Sequence, residues 1–137
     1  MSSIATGSVE AIISADVIEH IPDVYAAAAE MFRVLEPGGR LILNTPNVAF
    51  VVKRLRLLVG RFPSTAIPNE GLGDSKDSDP MLDAGHLHYF TYRSLRVLLE
   101  RAGFCVVREI GFGRFGRLHQ VWPSLFSTGL QIVARKP

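Results

Sequence analysis

The sequence predicts an α/β fold in which parallel strands alternate with helices and a final strand runs antiparallel to them. Two short, almost wholly apolar runs, Val9–Ala15 and residues 40–45, are typical of strands buried in a parallel sheet. A helical apolar pattern separates them, and a further helix and two strands are predicted downstream. We expect one domain over residues 1–137, made of a strand-helix-strand unit (9–47), a helical lid and loop insertion (48–90), and a helix with a strand pair (91–137).

The helix of the first unit is predicted to start at Pro22 and Asp23 and to end at the turn 37–39 (PGG). Proline suits the first turn of a helix because it fixes φ and has no N–H to satisfy there. The apolar residues that follow at helical spacing are expected to face the sheet, and they are Val24, Ala27, Ala28, Met31 and Leu35. Short connections between strand, helix and strand indicate a right-handed crossover, which places the two strands side by side.

Residues 48–62 form an amphipathic helical pattern with one apolar stripe and one basic face. The basic face is made of Lys53, Arg54, Arg56 and Arg61. Such a helix most simply covers an edge of the core with its charges in water. The alternative is a gate that lies on a membrane surface to collect a lipid-like acceptor, so peripheral membrane contact is a second hypothesis. Residues 63–85, rich in Pro, Gly, Ser and Asp, are predicted to form a long surface loop.

The third helix is predicted to begin after Thr91 as its N-cap and to end at Gly103. Strands follow at residues 104–110 and 130–135, joined by a flexible connection. That connection starts with the pattern G-x-G-x-x-G at residues 111–116. A dinucleotide site would also need a following helix, a parallel strand and an acidic residue about 20 positions on, and the sequence offers none of these.

Composition excludes several classes of protein. The single cysteine, Cys105, cannot form an internal disulfide, and no cysteine cluster could bind zinc. A net charge of +2 is too small to indicate a nucleic-acid surface by itself, so nucleic acid is not an expected partner. We find neither a signal-peptide pattern nor an apolar run that could cross a bilayer, and we expect a cytoplasmic protein.

Several short motifs follow one another along the chain: residues 12–23 (IISADVIEHIPD), 30–41 (EMFRVLEPGGRL), 45–47 (TPN), 88–91 (HYFT), 94–96 (SLR) and 102–104 (AGF). In this order and spacing they resemble class I S-adenosylmethionine (SAM)-dependent methyltransferases, and most closely the branch of the ubiquinone-biosynthesis O-methyltransferases. The resemblance implies a partial Rossmann-like methyltransferase fold. It also implies SAM as the cofactor.

The glycine-rich cofactor turn of this family, and the acidic residue that binds the ribose, do not occur in the eight residues before Val9. The resemblance therefore implies the carboxyl-terminal half of the domain, which by itself should bind SAM weakly or not at all. In the family another strand pairs with the one predicted at Val9–Ala15. We expect this apolar edge to be covered by a second copy in a homodimer, by a companion polypeptide, or by a rearranged terminus.

Ligands of open α/β sheets bind outside the carboxyl ends of the parallel strands, where polar residues follow Ala15 and Leu43. The resemblance implies cofactor contacts from Ala15, Asp16, Val17 and Ile21. It implies an acceptor pocket formed by Asn44, Thr45, Asn47, His86 and Tyr89. The catalytic candidates are His20, Glu19 and His88. His20 is the candidate general base because an imidazole titrates near neutrality, and its alternative role is to pack and hydrogen-bond at the sheet edge.

Four positions also resemble the ligands of metal-dependent O-methyltransferases: Asp16, Glu19, His20 and a downstream histidine, which is His86 or, as an alternative, His88. Carboxylates and imidazole suit Mg²⁺ or Mn²⁺, which would lower the pKa of an acceptor hydroxyl. Asp16 stands where those enzymes have a longer glutamate, and Glu-His also occurs in relatives that bind no metal. We predict O-methylation of a small-molecule acceptor. The alternatives are a non-catalytic or truncated module that associates through its sheet edge, and a metal-dependent RNA ribose methyltransferase.

Overall fold

The computed structural model describes residues 4–65, 85–113 and 115–137. Its four strands are β1 (Val9–Ala15), β2 (Leu35–Pro46), β3 (Cys105–Phe112) and β4 (Gly129–Arg135). Its helices are α1 (Val24–Val34), α2 (Val51–Leu58), α3 (Tyr92–Arg101), α4 (Leu118–Val121) and α5 (Pro123–Phe126), with one 3-10 turn at Ile18–His20.

The four strands form one sheet in the order β1-β2-β4-β3. β1 and β2 are parallel and in register from Ala11 beside Arg40 to Ala15 beside Asn44. β4 is antiparallel to both β2 and β3, so it is the one described strand that runs against the others. The predicted α/β fold with an antiparallel final strand is therefore confirmed. In this sheet β1 lies at an edge.

The core lies between one face of the sheet and helices α1 and α3. Its buried residues include Leu41, Leu43, Leu130 and Ile132 from the strands, and Ala28, Met31, Leu95 and Leu99 from the helices. On the opposite face Ile13 of β1 is 76% exposed. The described part of the chain thus covers one face of its sheet with helices and leaves apolar surface on the other.

Helix α1 starts and ends earlier than the sequence predicts. Asp23 is the N-cap residue, and its carboxylate accepts a hydrogen bond from the Ala26 N–H at 2.9 Å, so the helix starts at Val24 rather than at Pro22. At the other end Leu35 is extended and already belongs to β2. The predicted end at residues 37–39 is wrong because the residue before a proline disfavours helical geometry, which moves the boundary upstream.

Helix α3 has the predicted capping. The Thr91 hydroxyl accepts from the Ser94 N–H at 3.1 Å, and the Ser94 hydroxyl accepts from the Thr91 N–H at 2.9 Å. Gly103 follows the helix with a φ of +101°, a conformation that glycine adopts without strain. The predicted start and stop of this helix are both confirmed.

The connection from β3 to β4 is more ordered than the sequence predicts, because it contains α4 and α5. These two short helices were not predicted, and β3 also continues to Phe112 instead of ending at Ile110. A side chain at Gly111 would collide with the Ser127 hydroxyl and the His119 carbonyl. This glycine therefore allows close packing of the connection.

Helix α2 spans Val51–Leu58, which is shorter than the predicted 48–62, and Gly60 follows it with a φ of +73°. None of its eight residues, all of which the structure describes, is buried. The predicted loop at 63–85 lies mostly outside the described residues. Among the described helices, none has the length and apolar character needed to span a membrane.

Candidate active site

The carboxyl ends of β1 and β2 meet at one edge of the sheet. The Asp16 N–H donates to the Asn44 carbonyl at 3.0 Å, and the Asn44 side-chain amide donates to the Asp16 carboxylate at 3.0 Å. Asp16 has a φ of +50°, a conformation that is rare outside glycine and is most often tolerated by Asn and Asp. The chain therefore turns sharply as it leaves β1, with a carboxylate exposed at the turn.

Glu19 is the buried carboxylate of the site, with 1% of its surface exposed. Its Oε2 accepts a hydrogen bond from the Thr45 hydroxyl at 3.0 Å. Its Oε1 is buried and has no hydrogen-bond partner among the described residues. A buried polar atom normally has a partner, because leaving one unsatisfied costs about 1–3 kcal/mol. Glu19 thus offers one oxygen to a donor or a cation.

Two histidines lie beside this carboxylate. The rings of His20 and His86 are 4.7 Å apart between centroids and meet edge to face. His20 Nδ1 lies 3.2 Å from the Gly85 carbonyl, and His86 Nδ1 lies 2.6 Å from the Thr65 hydroxyl. One potential ligand atom from each of Glu19, His20 and His86 lies within 4.8 Å of the other two.

The segment that carries His86 and His88 is attached to the site through its backbone. The N–H groups of Leu87 and His88 both donate to the Glu19 carbonyl, at 2.8 and 3.1 Å. The side chain of His88 points away to the Pro22 carbonyl, with its Nε2 3.2 Å from that oxygen. The structure therefore brings Glu19, His20 and His86 together and places the His88 imidazole outside this group.

His88 and Tyr89 line a separate open cavity of about 470 Å³ between α1 and α3. Tyr25 and Arg93 also contribute to its wall. Tyr89 further packs against Phe62, with 5.7 Å between ring centroids. The cavity is close in sequence to the group of Glu19, His20 and His86, because His88 and Tyr89 follow His86 in the same segment.

The predicted pocket residues of β2 have different surroundings. The Thr45 hydroxyl is held by Glu19, and the Asn44 Oδ1 is buried without a partner among the described residues. Asn47 is fully buried, and its amide donates to the carbonyls of Ser124 and Ser127, at 3.1 and 2.8 Å. Its Oδ1 accepts from the Ala49 N–H at 2.9 Å. Asn47 therefore connects α5 to the chain that enters α2, a role that the sequence did not predict.

The predicted cofactor residues surround the turn after β1. Ala15, Asp16 and Val17 are exposed, and Ile21 is half-buried after the 3-10 turn. Two polar groups of the site were missed by the sequence analysis, the Thr65 hydroxyl and the Gly85 carbonyl. Both are at the ends of the predicted surface loop, where no pattern in the sequence distinguishes them from their neighbours.

Residues 5–109 match the family described as "Methyltransferase domain", which is more than half of the chain. The chain belongs to this family. The predicted resemblance to class I SAM-dependent methyltransferases is therefore confirmed.

Two related proteins have a function in their names. The chain is 32% identical over 104 residues to a Mycolicibacterium smegmatis protein named as a probable S-adenosylmethionine-dependent methyltransferase, a match that covers 76% of this chain and 32% of that protein. It is 43% identical over 42 residues to a Xanthomonas oryzae ubiquinone biosynthesis O-methyltransferase, covering 31% of this chain and 18% of that enzyme. The likeness to the ubiquinone branch is therefore partial.

Solved structures share the fold. A SAM-dependent methyltransferase from Mesorhizobium loti superposes with a TM-score of 0.63 at 16% identity, over 97% of this chain and 64% of that one. One from Archaeoglobus fulgidus gives a TM-score of 0.64 at 12% identity, over 98% of this chain and 62% of that one. This chain thus spans about a third of the length of its Mycolicibacterium relative and less than two thirds of the length of the two solved chains.

Proposed function

We propose that the chain forms the acceptor side of a SAM-dependent methyltransferase that methylates an oxygen of a small molecule. The observation that carries the proposal is the buried Glu19 carboxylate, which uses one oxygen on Thr45 and keeps the other for a further partner. It lies beside His20 at the edge of the sheet where ligands of this fold class bind. The family membership supports the reaction class.

SAM supplies, when bound, a methyl group on a positively charged sulfur. On transfer, the acceptor oxygen would gain the methyl carbon as the carbon–sulfur bond breaks, and the hydroxyl proton would have to leave the acceptor. His20 receives that proton in our proposal. When His20 Nδ1–H donates to the Gly85 carbonyl, the lone pair is on Nε2, which then accepts the proton. The fixed Glu19 side chain orients the acceptor through its second oxygen.

The residues that would hold SAM are those of the turn after β1, namely Ala15, Asp16, Val17 and Ile21. They fit this role because the turn is exposed and because the neighbouring Asn44 Oδ1 is buried without a partner in the described chain. The edge of β1 pairs with no further described strand. We therefore propose that additional polypeptide, from a second copy or a companion segment, covers Val9–Ala15 and strengthens SAM binding.

Calorimetric titration of the full chain with S-adenosylhomocysteine tests this function. We expect weak binding at low chain concentration and micromolar binding at high concentration, because association would complete the site. Asp16→Ala should lose the binding, whereas the control Glu36→Ala, which changes an exposed carboxylate at the other end of β2, should keep it. Absence of binding at every concentration would contradict completion of the site by a second copy, and would favour a non-catalytic module or one that needs a companion segment.

A metal-dependent variant of the reaction is the second candidate, favoured by the grouping of Glu19, His20 and His86. One carboxylate and two imidazoles suit Mn²⁺ better than Mg²⁺, because imidazole is a softer ligand than oxygen. Asp16 is bonded to Asn44 and does not join this group, so the four predicted ligands become three. The metal would lower the pKa of the acceptor hydroxyl.

Electron paramagnetic resonance of Mn²⁺ mixed with the full chain distinguishes the two mechanisms. We expect the signal of free Mn²⁺ to fall on binding, and the variants Glu19→Gln and His86→Ala to restore it. His119→Ala is the matched control, since this histidine lies outside the group. An unchanged signal with the unmodified chain would rule out the metal. A chelator-sensitive activity on RNA 3′ ends would instead favour the ribose methyltransferase alternative.

A further inference from the structure

The apolar stripe of the α2 segment is exposed to solvent. Leu58 is 81% exposed, and Val52, Leu55 and Val59 on the same stripe are also exposed. Their spacing places them on one side of the helix, where an ordinary surface helix would face the core. Single exposed apolar residues are common, but a contiguous exposed stripe indicates an interaction surface.

A second exposed apolar segment adjoins the first. In residues 118–122, Val121 is 83% exposed and Trp122 is 56% exposed. Three aromatic rings connect this segment with the start of α2. Phe115 lies 5.8 Å from Phe50 and 5.8 Å from Phe126 between ring centroids. These ring contacts place the start of α2 near residues 115–126, and we call the two exposed segments together the α2–α4 surface.

The charge of this surface has one sign. Neither residues 48–62 nor residues 111–128 contain Asp or Glu, although the chain has 13 acidic residues. The described basic residues of the surface are Lys53, Arg54, Arg56, Arg61 and Arg117. An apolar stripe flanked by Lys and Arg, with a tryptophan nearby, is complementary to the anionic headgroups and acyl boundary of a lipid bilayer.

We propose that the α2–α4 surface docks on the surface of an anionic lipid membrane. The side chains of Leu55, Leu58 and Trp122 enter the boundary between headgroups and acyl chains, and the basic side chains contact the headgroups. Tyr89 packs against Phe62 at the end of the stripe, so docking places the membrane next to the segment that carries His86. Docking does not depend on the proposed methyl transfer.

Fluorescence of the full chain with lipid vesicles tests the proposal, because Trp122 is the only tryptophan. With vesicles of phosphatidylcholine and phosphatidylglycerol we expect a blue shift of the emission and co-sedimentation of the chain. Vesicles of phosphatidylcholine alone should give neither, and added salt should weaken the binding because it screens the headgroup charges. No shift with the anionic vesicles would overturn the proposal.

Matched variants identify the surface. Leu58→Glu introduces a charge at the most exposed apolar residue of the stripe and should weaken vesicle binding by about tenfold or more. Val107→Glu introduces the same charge at another exposed apolar position, in β3, and should bind as the unmodified chain does. Circular dichroism checks that both variants are folded. Equal binding by both variants would refute the membrane as the partner, as would self-association without lipid that Leu58→Glu abolishes in sedimentation equilibrium.

Discussion

At the scale of single residues, Glu19 and Thr45 show how the site is organised. They come from the 3-10 turn and from β2, and the hydrogen bond of 3.0 Å between them joins the two elements at the sheet edge. From the sequence, Glu19 and His20 are known to be neighbours because they are consecutive residues. The sequence could not show that Thr45 binds Glu19, because the pairing depends on the register of two strands and not on a local pattern.

Thr45→Val should destabilise the fold by about 1–3 kcal/mol, because it removes the hydroxyl that donates to Glu19 Oε2, while Oε1 already has no partner among the described residues. Urea unfolding followed by circular dichroism measures the change. Thr128→Val is the control, since its hydroxyl makes only a 3.4 Å contact in an exposed position. Similar losses of stability in the two variants would show that the Glu19–Thr45 hydrogen bond contributes no more than the exposed Thr128 contact.

Tyr92 gives the fold a predictable dependence on alkaline pH. Burial raises the pKa of Tyr92 to about 12, and its hydroxyl donates to the Ile110 carbonyl at 2.5 Å. In the unfolded chain a tyrosine ionises near pH 10, so between pH 10 and about 12 the unfolded state has lost a proton that the folded state keeps. The free energy of unfolding must therefore fall as the pH rises through that range.

Tyr92→Phe removes this titration and should give a flatter decline of stability between pH 10 and 12. Urea midpoints measured at steps of pH for the two proteins test the expectation. Because the variant also loses a hydrogen bond, its stability near pH 7 serves as the baseline and only the slopes are compared. Parallel slopes would show that Tyr92 does not keep its proton in the folded state.

At the scale of elements, β1 to β4 and α1 to α3 followed in order from apolar spacing and capping residues, but several of their boundaries and the helices α4 and α5 did not. Leu35 continues the helical apolar spacing of α1 but is the first residue of β2. The spacing could not reveal this boundary, because the Leu35 side chain would face the same core from either element. The helices between β3 and β4 depend on distant contacts, such as those from Asn47 to Ser124 and Ser127. No local periodicity could reveal them.

The capping box of α3 can be tested at this scale. Thr91→Ala removes the side chain that accepts from the Ser94 N–H and should cost about 1 kcal/mol of stability. Arg93→Ala, an exposed change in the first turn of the same helix, should cost much less. Thermal unfolding of both variants measures the difference, and equal melting temperatures would contradict the role of the cap.

At the scale of the whole molecule, the sheet has helices on one face and an exposed edge and face at β1. The exposed edge was predicted from the family resemblance, because in the family another strand pairs with Val9–Ala15. The exposed face of the sheet, opposite α1 and α3, could not be predicted. An apolar run such as Val9–Ala15 indicates a strand buried on both faces, and the sequence does not show which of the two faces is covered in this chain.

This exposed surface should make the chain associate with itself as its concentration rises. Ile13→Lys places a charge on the open face and should reduce the association seen by sedimentation velocity. Tyr25→Lys, which changes an exposed aromatic residue of α1, should leave it as it is. A monomer at every concentration would show that the β1 surface does not drive association.

The position of β4 has a consequence for how the molecule is made. β4 follows all the other described strands in the chain, yet it lies between β2 and β3 and supplies every sheet hydrogen bond that β3 makes. During synthesis, β1 and β2 can pair as soon as they leave the ribosome, whereas β3 must wait for β4. A nascent chain arrested before residue 129 should therefore keep β3 sensitive to proteases, and release of the last segment should protect it in one step.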